Sequence, residues 1–246
     1  MDVLPGEVPI AYTEVPGRGV PVLLLHGFGS GYDANWVRAG WPHALDGLAH
    51  IGVDLRGHGG SGRPRDAGAY RPAAMAGDLE RLLDALGVQR CDVLAYSMGS
   101  RIAWEFALTR PDRVRRAVLG GFGPVDAFAG TDLDRLDAPD GGPFTEVFRA
   151  AAAQPGADPA ALAACARGQA AHPFTADPAP AGVPLLFVAG EHDTLASGVE
   201  DVARAVGAAP AVRVPRRDHR TAVSARAFKT AAVGFLTRGV RPLSGV

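Results

Sequence analysis

Short apolar runs recur along the chain at wide intervals: "PVLLLHG" at 21–27, "HIGVDL" at 50–55, "CDVLAY" at 91–96, "RAVLGG" at 116–121, "PLLFVAG" at 184–190 and "AVRVP" at 211–215. They are near-continuous rather than alternating, the pattern of strands buried on both faces of a parallel sheet. The segments between them have helical spacing. In 71–87, Met75, Leu79, Leu82, Leu83 and Leu86 recur at helical intervals and Gly87 closes the segment, as glycine commonly does just past a helix end. A second helix is expected from Met98 until Pro111 stops it, and a third within 197–207. Strand and helix alternating in this way predict an α/β fold with one doubly wound, mostly parallel sheet.

The alternation breaks between about Pro124 and Pro180, where Ala, Pro, Gly and Asp dominate and no strand pattern occurs. A structureless loop of that length is uncommon in a compact domain. A disordered linker is the alternative, but Phe144, Val147 and Phe148 offer an apolar helical face that a linker would lack. The expected organisation is therefore a core made of residues 1–123 and 181–246, with 124–180 as a small helical lid inserted in it.

Composition narrows the functional classes. With 47% hydrophobic residues in 246, the chain can bury a substantial core. A formal net charge of -1 without any long Lys/Arg block lacks the electrostatic footprint of a nucleic-acid or membrane-surface binder. The expected partner is a small-molecule substrate, with no nucleic acid and no membrane; oligomeric state is left open. The N-terminal "MDVLPGEVPIAY" shows no basic region followed by an apolar stretch, so a cytoplasmic location is expected. Cys91 and Cys165 stand far apart in apolar or Ala-rich settings, and the seven histidines show no H-E-x-x-H spacing. Neither pattern suits a metal site, and no metal or other cofactor is expected.

In an open parallel sheet, ligands bind at the carboxyl ends of the strands. Ser97 follows one apolar run, Asp193 another and His219 a third, in the chain order Ser, Asp, His. A serine hydroxyl needs a base to become nucleophilic near neutral pH, and imidazole has the matching proton affinity. A carboxylate then holds the imidazole in the right tautomer. "LAYSMGSR" at 94–101 departs from G-x-S-x-G at Ala95. Alone the motif is weak, but it lies between a strand-like and a helix-like segment, the context a nucleophile elbow requires. Two backbone donors for a developing oxyanion are expected at Met98, directly after the serine, and at Phe28 in the glycine-rich "HGFGSG".

Together "LLLHGFGS", "VDLRGHGGSGRP", "LAYSMGS", "LTRPDRVRRAVL" and "PLLFVAGEHDTL" resemble the α/β-hydrolase fold superfamily, of the lid-bearing esterase and lactonase type, over about residues 8–237. The resemblance implies Ser97 as nucleophile, Asp193 as acid, His219 as base and Phe28 with Met98 as oxyanion donors. It also implies that His26, Asp54, Arg56 and His58 brace loops. Haloalkane dehalogenases and epoxide hydrolases of this fold use a carboxylate nucleophile, whereas position 97 holds serine.

The leading expectation is a serine hydrolase acting on a small carboxylic ester or lactone. "YSMGSR" is also similar to the elbow of menaquinone-pathway lyases, where an arginine at the position of Arg101 helps bind a carboxylate-bearing substrate; C–C bond hydrolases are a related alternative. A ligand-binding receptor on the same fold is a third reading. Asp218, adjacent to His219, is a rival acid. Tyr32, Asp33 and Trp36 either line the site or pack the next helix. Phe122, Phe128, Phe144 and Phe174 are expected to set acyl and alcohol preference.

Overall fold

The computed structural model describes residues 1–238; the last eight positions of the expected core segment 181–246 lie outside the described residues. Its strands are β1 (Asp2–Leu4), β2 (Ile10–Val15), β3 (Arg18–Leu25), β4 (Leu48–Val53), β5 (Cys91–Tyr96), β6 (Val114–Gly120), β7 (Leu185–Gly190) and β8 (Val212–Val214). They form one sheet in the order β1-β2-β4-β3-β5-β6-β7-β8. Pairing is antiparallel at β1–β2 and β2–β4 and parallel from β4 onward. The six predicted strands are all present. β1 and β2 carry no long apolar run, because an antiparallel edge is only partly buried.

The helices are α1 (Trp41–Ala44), α2 (Pro72–Ala85), α3 (Met98–Thr109), α4 (Phe144–Ala152), α5 (Pro159–Ala170), α6 (Val199–Ala205) and α7 (Arg226–Leu236). Met75, Leu79, Leu82 and Leu83 of α2 are fully buried against α3 and one face of the sheet, where α6 also packs. The opposite face is covered by α1 and α7 through Trp41, Phe228 and Ala232. Trp36, Trp41 and Phe228 meet edge to face at 5.4 and 5.5 Å, contacts worth about 0.5–1.5 kcal/mol each beyond area burial.

The sheet is thus doubly wound, as its apolar pattern predicts. The chain leaves β3 toward β4 on one side and later crosses back to β5 on the other. The carboxyl ends of β3 and β5 therefore flank the point where strand order reverses, a crevice that ligands favour.

Between β6 and β7 the chain carries α4 and α5, which share a small cluster of Leu136, Phe144, Phe148, Ala151, Leu162 and Ala166. Val147 is not part of that apolar face. It is 46% exposed and borders the cavity described below.

Candidate active site

The turn from β5 into α3 puts Ser97 in a backbone conformation of φ 54° and ψ −121°, which non-glycine residues adopt only under strain of about 1–3 kcal/mol. The strain is held by its surroundings. The Ser97 amide donates to the Gly120 carbonyl at 2.8 Å, and Gly99 lies so close to β3 that a Cβ there would be driven into the Leu25 and His26 carbonyl oxygens. The departure from G-x-S-x-G is harmless for a related reason. Ala95 is fully buried between Leu25 and Leu119 on the neighbouring strands, and its methyl group fits. Two residues after the serine there is no such room.

Asp193 and His219 come from the turns after β7 and β8, which zip onto each other. The Glu191 amide donates to the Val214 carbonyl at 2.9 Å and the His192 amide to that of Arg217 at 2.8 Å. Gly190 gives the second turn the space to approach, since a Cβ there would meet the Arg217 carbonyl. The Asp193 side chain is completely buried and also accepts from the Leu195 amide at 3.1 Å. His219 Nδ1 lies 3.0 Å from Asp193 Oδ2, and its Nε2 lies 2.9 Å from Ser97 Oγ. The carboxylate therefore selects the tautomer with Nδ1 protonated, and Nε2 is free to accept the serine proton. Asp218, the rival acid, faces away. It is exposed and accepts from the Arg220 and Thr221 amides and the Thr221 hydroxyl, bonds that lower its pKa, the hydroxyl's first.

Phe28 and Met98 both line the cavity next to Ser97. Neither amide has a hydrogen-bond partner among the described residues, and Met98 opens α3, where the helix dipole favours an anion. The loop bearing Phe28 is clamped at Gly27. His26 Nδ1 donates to the Gly27 carbonyl at 2.8 Å, its Nε2 accepts from the Leu55 amide at 2.9 Å, and Asn35 Oδ1 accepts from the Gly27 amide at 3.2 Å. Asn35 also lines the cavity and was not among the residues the sequence singled out; a single asparagine ahead of a tryptophan carries no periodic or motif signal. Its neighbours resolve to packing: Tyr32 and Trp36 belong to the core, and exposed Asp33 pairs with Arg38 at 2.7 Å.

Of the residues expected to brace loops, His26, Asp54 and Arg56 are bonded throughout, whereas His58 bonds through Nδ1 to the Arg56 carbonyl at 3.0 Å and leaves its buried Nε2 without a partner among the described residues. Arg56 holds Asp78 through two bonds of 2.6 and 2.7 Å, and Asp54 accepts from the Tyr32 and Gly60 amides at 2.7 and 2.9 Å. Burial lowers the pKa of His26 to about 4. Burial, helped by neighbouring His26, lowers that of His58 to about 3, so both are neutral near pH 7. Cys91 and Cys165 are buried and unbonded to each other.

Taken together, the site is a strained serine, hydrogen-bonded to an imidazole that a buried carboxylate holds, at the switch point of a doubly wound sheet. A family model described as the alpha/beta hydrolase fold matches residues 20–155, more than half the chain. The protein belongs to the alpha/beta hydrolase fold family. Over 119 residues it is 38% identical to an epoxide hydrolase of Caballeronia sordidicola, a match covering 48% of this chain and 35% of that protein. Over 105 residues it is 38% identical to a 2-hydroxymuconate semialdehyde hydrolase of Pseudomonas putida, covering 43% and 37%. The match thus spans little more than a third of the length of these curated relatives. Across its whole length the fold is similar to that of a thermophilic esterase from Thermogutta terrifontis, with a TM-score of 0.75 at 27% identity over 95% of this chain and 94% of that one.

The cavity of this alpha/beta hydrolase lies above the carboxyl ends of the strands, where Gly27, Ser97, Gly121 and Thr194 line it. It measures about 890 Å³ and reaches Ser97 and His219. One wall is Phe28, Phe128 and Phe144, with ring centroids 5.1 and 4.7 Å apart. The other is Phe122 and Phe174, 4.8 Å apart, with the Arg101 guanidinium 5.9 Å over the Phe174 ring. Arg101 both lines the cavity and is braced, pairing with Glu105 at 3.2 Å. A second concavity of about 920 Å³ lies beside Arg56, Asp78 and Arg81 and does not reach Ser97 or His219. Among the described residues no helix is long and apolar enough to cross a membrane.

Proposed function

We propose that this alpha/beta hydrolase is a serine hydrolase that cleaves a small carboxylic ester or lactone through an acyl-enzyme. The observation that carries the reading is the hydrogen-bonded chain from Ser97 through His219 to Asp193, opening into a cavity flanked by phenylalanines. Ser97 Oγ attacks the carbonyl carbon while its proton passes to His219 Nε2, and buried Asp193 stabilises the imidazolium. The Phe28 and Met98 amides receive the oxyanion. The proton then goes to the leaving alkoxide, and a water activated by the same imidazole releases the acid. In a lactone, alcohol and acid leave as one hydroxy acid. The helices between β6 and β7 serve as a lid whose phenylalanines select the acyl and alcohol groups.

The test is a panel of 4-nitrophenyl esters of increasing acyl length, together with covalent labelling by a fluorophosphonate. The wild-type chain is expected to label at Ser97 and to prefer short acyl groups, and Ser97→Ala to lose at least about a thousand-fold in kcat. Undiminished turnover by Ser97→Ala overturns the assignment. An unlabelled folded protein returns the reading to a ligand-binding receptor.

A second reading is favoured by Arg101, a guanidinium facing the catalytic cavity. It makes the substrate carboxylate-bearing and the reaction a proton abstraction or C–C bond hydrolysis by the same triad. It predicts that simple esters are ignored and that Arg101→Ala abolishes turnover of an anionic substrate.

A further inference from the structure

The residue just before the nucleophile is tied to the base. Tyr96 ends β5, and its hydroxyl donates to the His219 backbone carbonyl at 2.6 Å. Its ring is 5.5 Å from the imidazole and 5.8 Å from Phe228, and only 4% of the residue is exposed. Gly120 and Gly121 complete its seat; a Cβ on either would run into the Tyr96 ring. Burial raises the phenol's pKa, so it remains a neutral donor.

We propose that Tyr96 is a positioning residue that holds His219 at its working distance from Ser97. The inference rests on the reading of His219 as the base. His219 sits in a turn that belongs to no helix or strand, and a loop alone sets a side chain loosely. The tether refers that turn to β5, whose next residue is the nucleophile. Ser97 and His219 are thereby anchored to the same strand end, and the 2.9 Å contact between them is set by one short path through the protein rather than by the drift of two loops. Misplacement of a reacting group by about 1 Å costs on the order of a hundred-fold in rate, so a single tether of this kind has a measurable effect.

Tyr96→Phe in the full chain keeps the ring and removes only the hydroxyl. With 4-nitrophenyl acetate, kcat is expected to fall about 10- to 100-fold while KM changes less than about twofold. The low-field proton resonance of His219 Nδ1–H, sharp in the wild type, should broaden or vanish in Tyr96→Phe. Loss of packing alone would lower the melting temperature without changing that resonance. In the wild type itself, a slowly exchanging Tyr96 hydroxyl proton with a cross-peak to His219 is expected, a readout that does not depend on any variant folding. A Tyr96→Phe protein with unchanged kcat and an intact resonance overturns the proposal, as does a freely exchanging hydroxyl in the wild type. Both spectra need no substrate, so they judge the tether even if no ester is turned over, whereas Ser97→Ala and fluorophosphonate labelling judge the hydrolase reading.

Discussion

The turn that carries Ser97 and the paired turns that carry Asp193 and His219 are built differently. The first is local: eight residues from strand into helix, a strained backbone, and a glycine pressed on β3. The second is assembled across 26 residues of sequence from two turns that hydrogen-bond to each other. A local device fixes Ser97 rigidly at a cost in strain. A non-local one makes the position of His219 depend on the bonds between the two turns.

The contrast predicts where each half breaks. Asp193→Asn is expected to leave the fold intact but to remove the charge and, with its oxygen kept by the Leu195 amide, to turn an NH2 donor on His219 Nδ1, which selects the wrong tautomer. Its kcat should fall by up to about ten-thousand-fold, with a thermal midpoint close to that of the parent. Gly99→Ala attacks the other half. Because its Cβ meets backbone carbonyls rather than a mobile side chain, the melting temperature should drop by about 10 °C or more, and residual folded protein should lose activity with it.

Asn35→Ala tests the clamp on the Phe28 loop. Freeing the Gly27 amide should lower kcat about tenfold with little change in KM, because the lost contact matters to the oxyanion more than to bound substrate.

Acidification acts on the bracing histidines. Above about pH 6.5, folded and unfolded chains both keep His26 and His58 neutral, so these residues add no pH dependence. Below it the unfolded chain binds protons that the buried imidazoles refuse until pH about 4 and about 3, so stability falls with pH across that window. Thermal unfolding should shift down by about 5 °C or more between pH 7 and 4, and His58→Gln should flatten the slope. Smallest of all, Ala95→Gly should leave kcat within about twofold and cost about 1 kcal/mol of stability through a more flexible strand.

Much of this architecture is legible in the residues. Runs such as "CDVLAY" and "PLLFVAG" announce buried parallel strands because both faces of the sheet are covered, and the Ser, Asp and His that follow three of them end up in one hydrogen-bonded chain. Asn35 and Tyr96 were not legible as parts of the site. Asn35 bonds the Gly27 amide eight residues back and Tyr96 the His219 carbonyl 123 residues on, and nothing about an isolated asparagine or strand-end tyrosine reveals those atoms. Val147 misled because helical spacing identifies a face without saying whether it meets core or cavity.

By itself, then, the sequence determined the six buried strands and the helices between them, and the strand ends near which Ser97, Asp193 and His219 would lie, since periodicity and residue type are properties of the chain read locally. Only the tertiary structure decided that Gly99 has no room for a Cβ whereas Ala95 does, that Asp193 rather than Asp218 bonds the imidazole, and that Asn35 and Tyr96 bond the loops around them. These outcomes depend on distances between segments far apart in the chain, and such distances exist only once the sheet has brought the strand ends together.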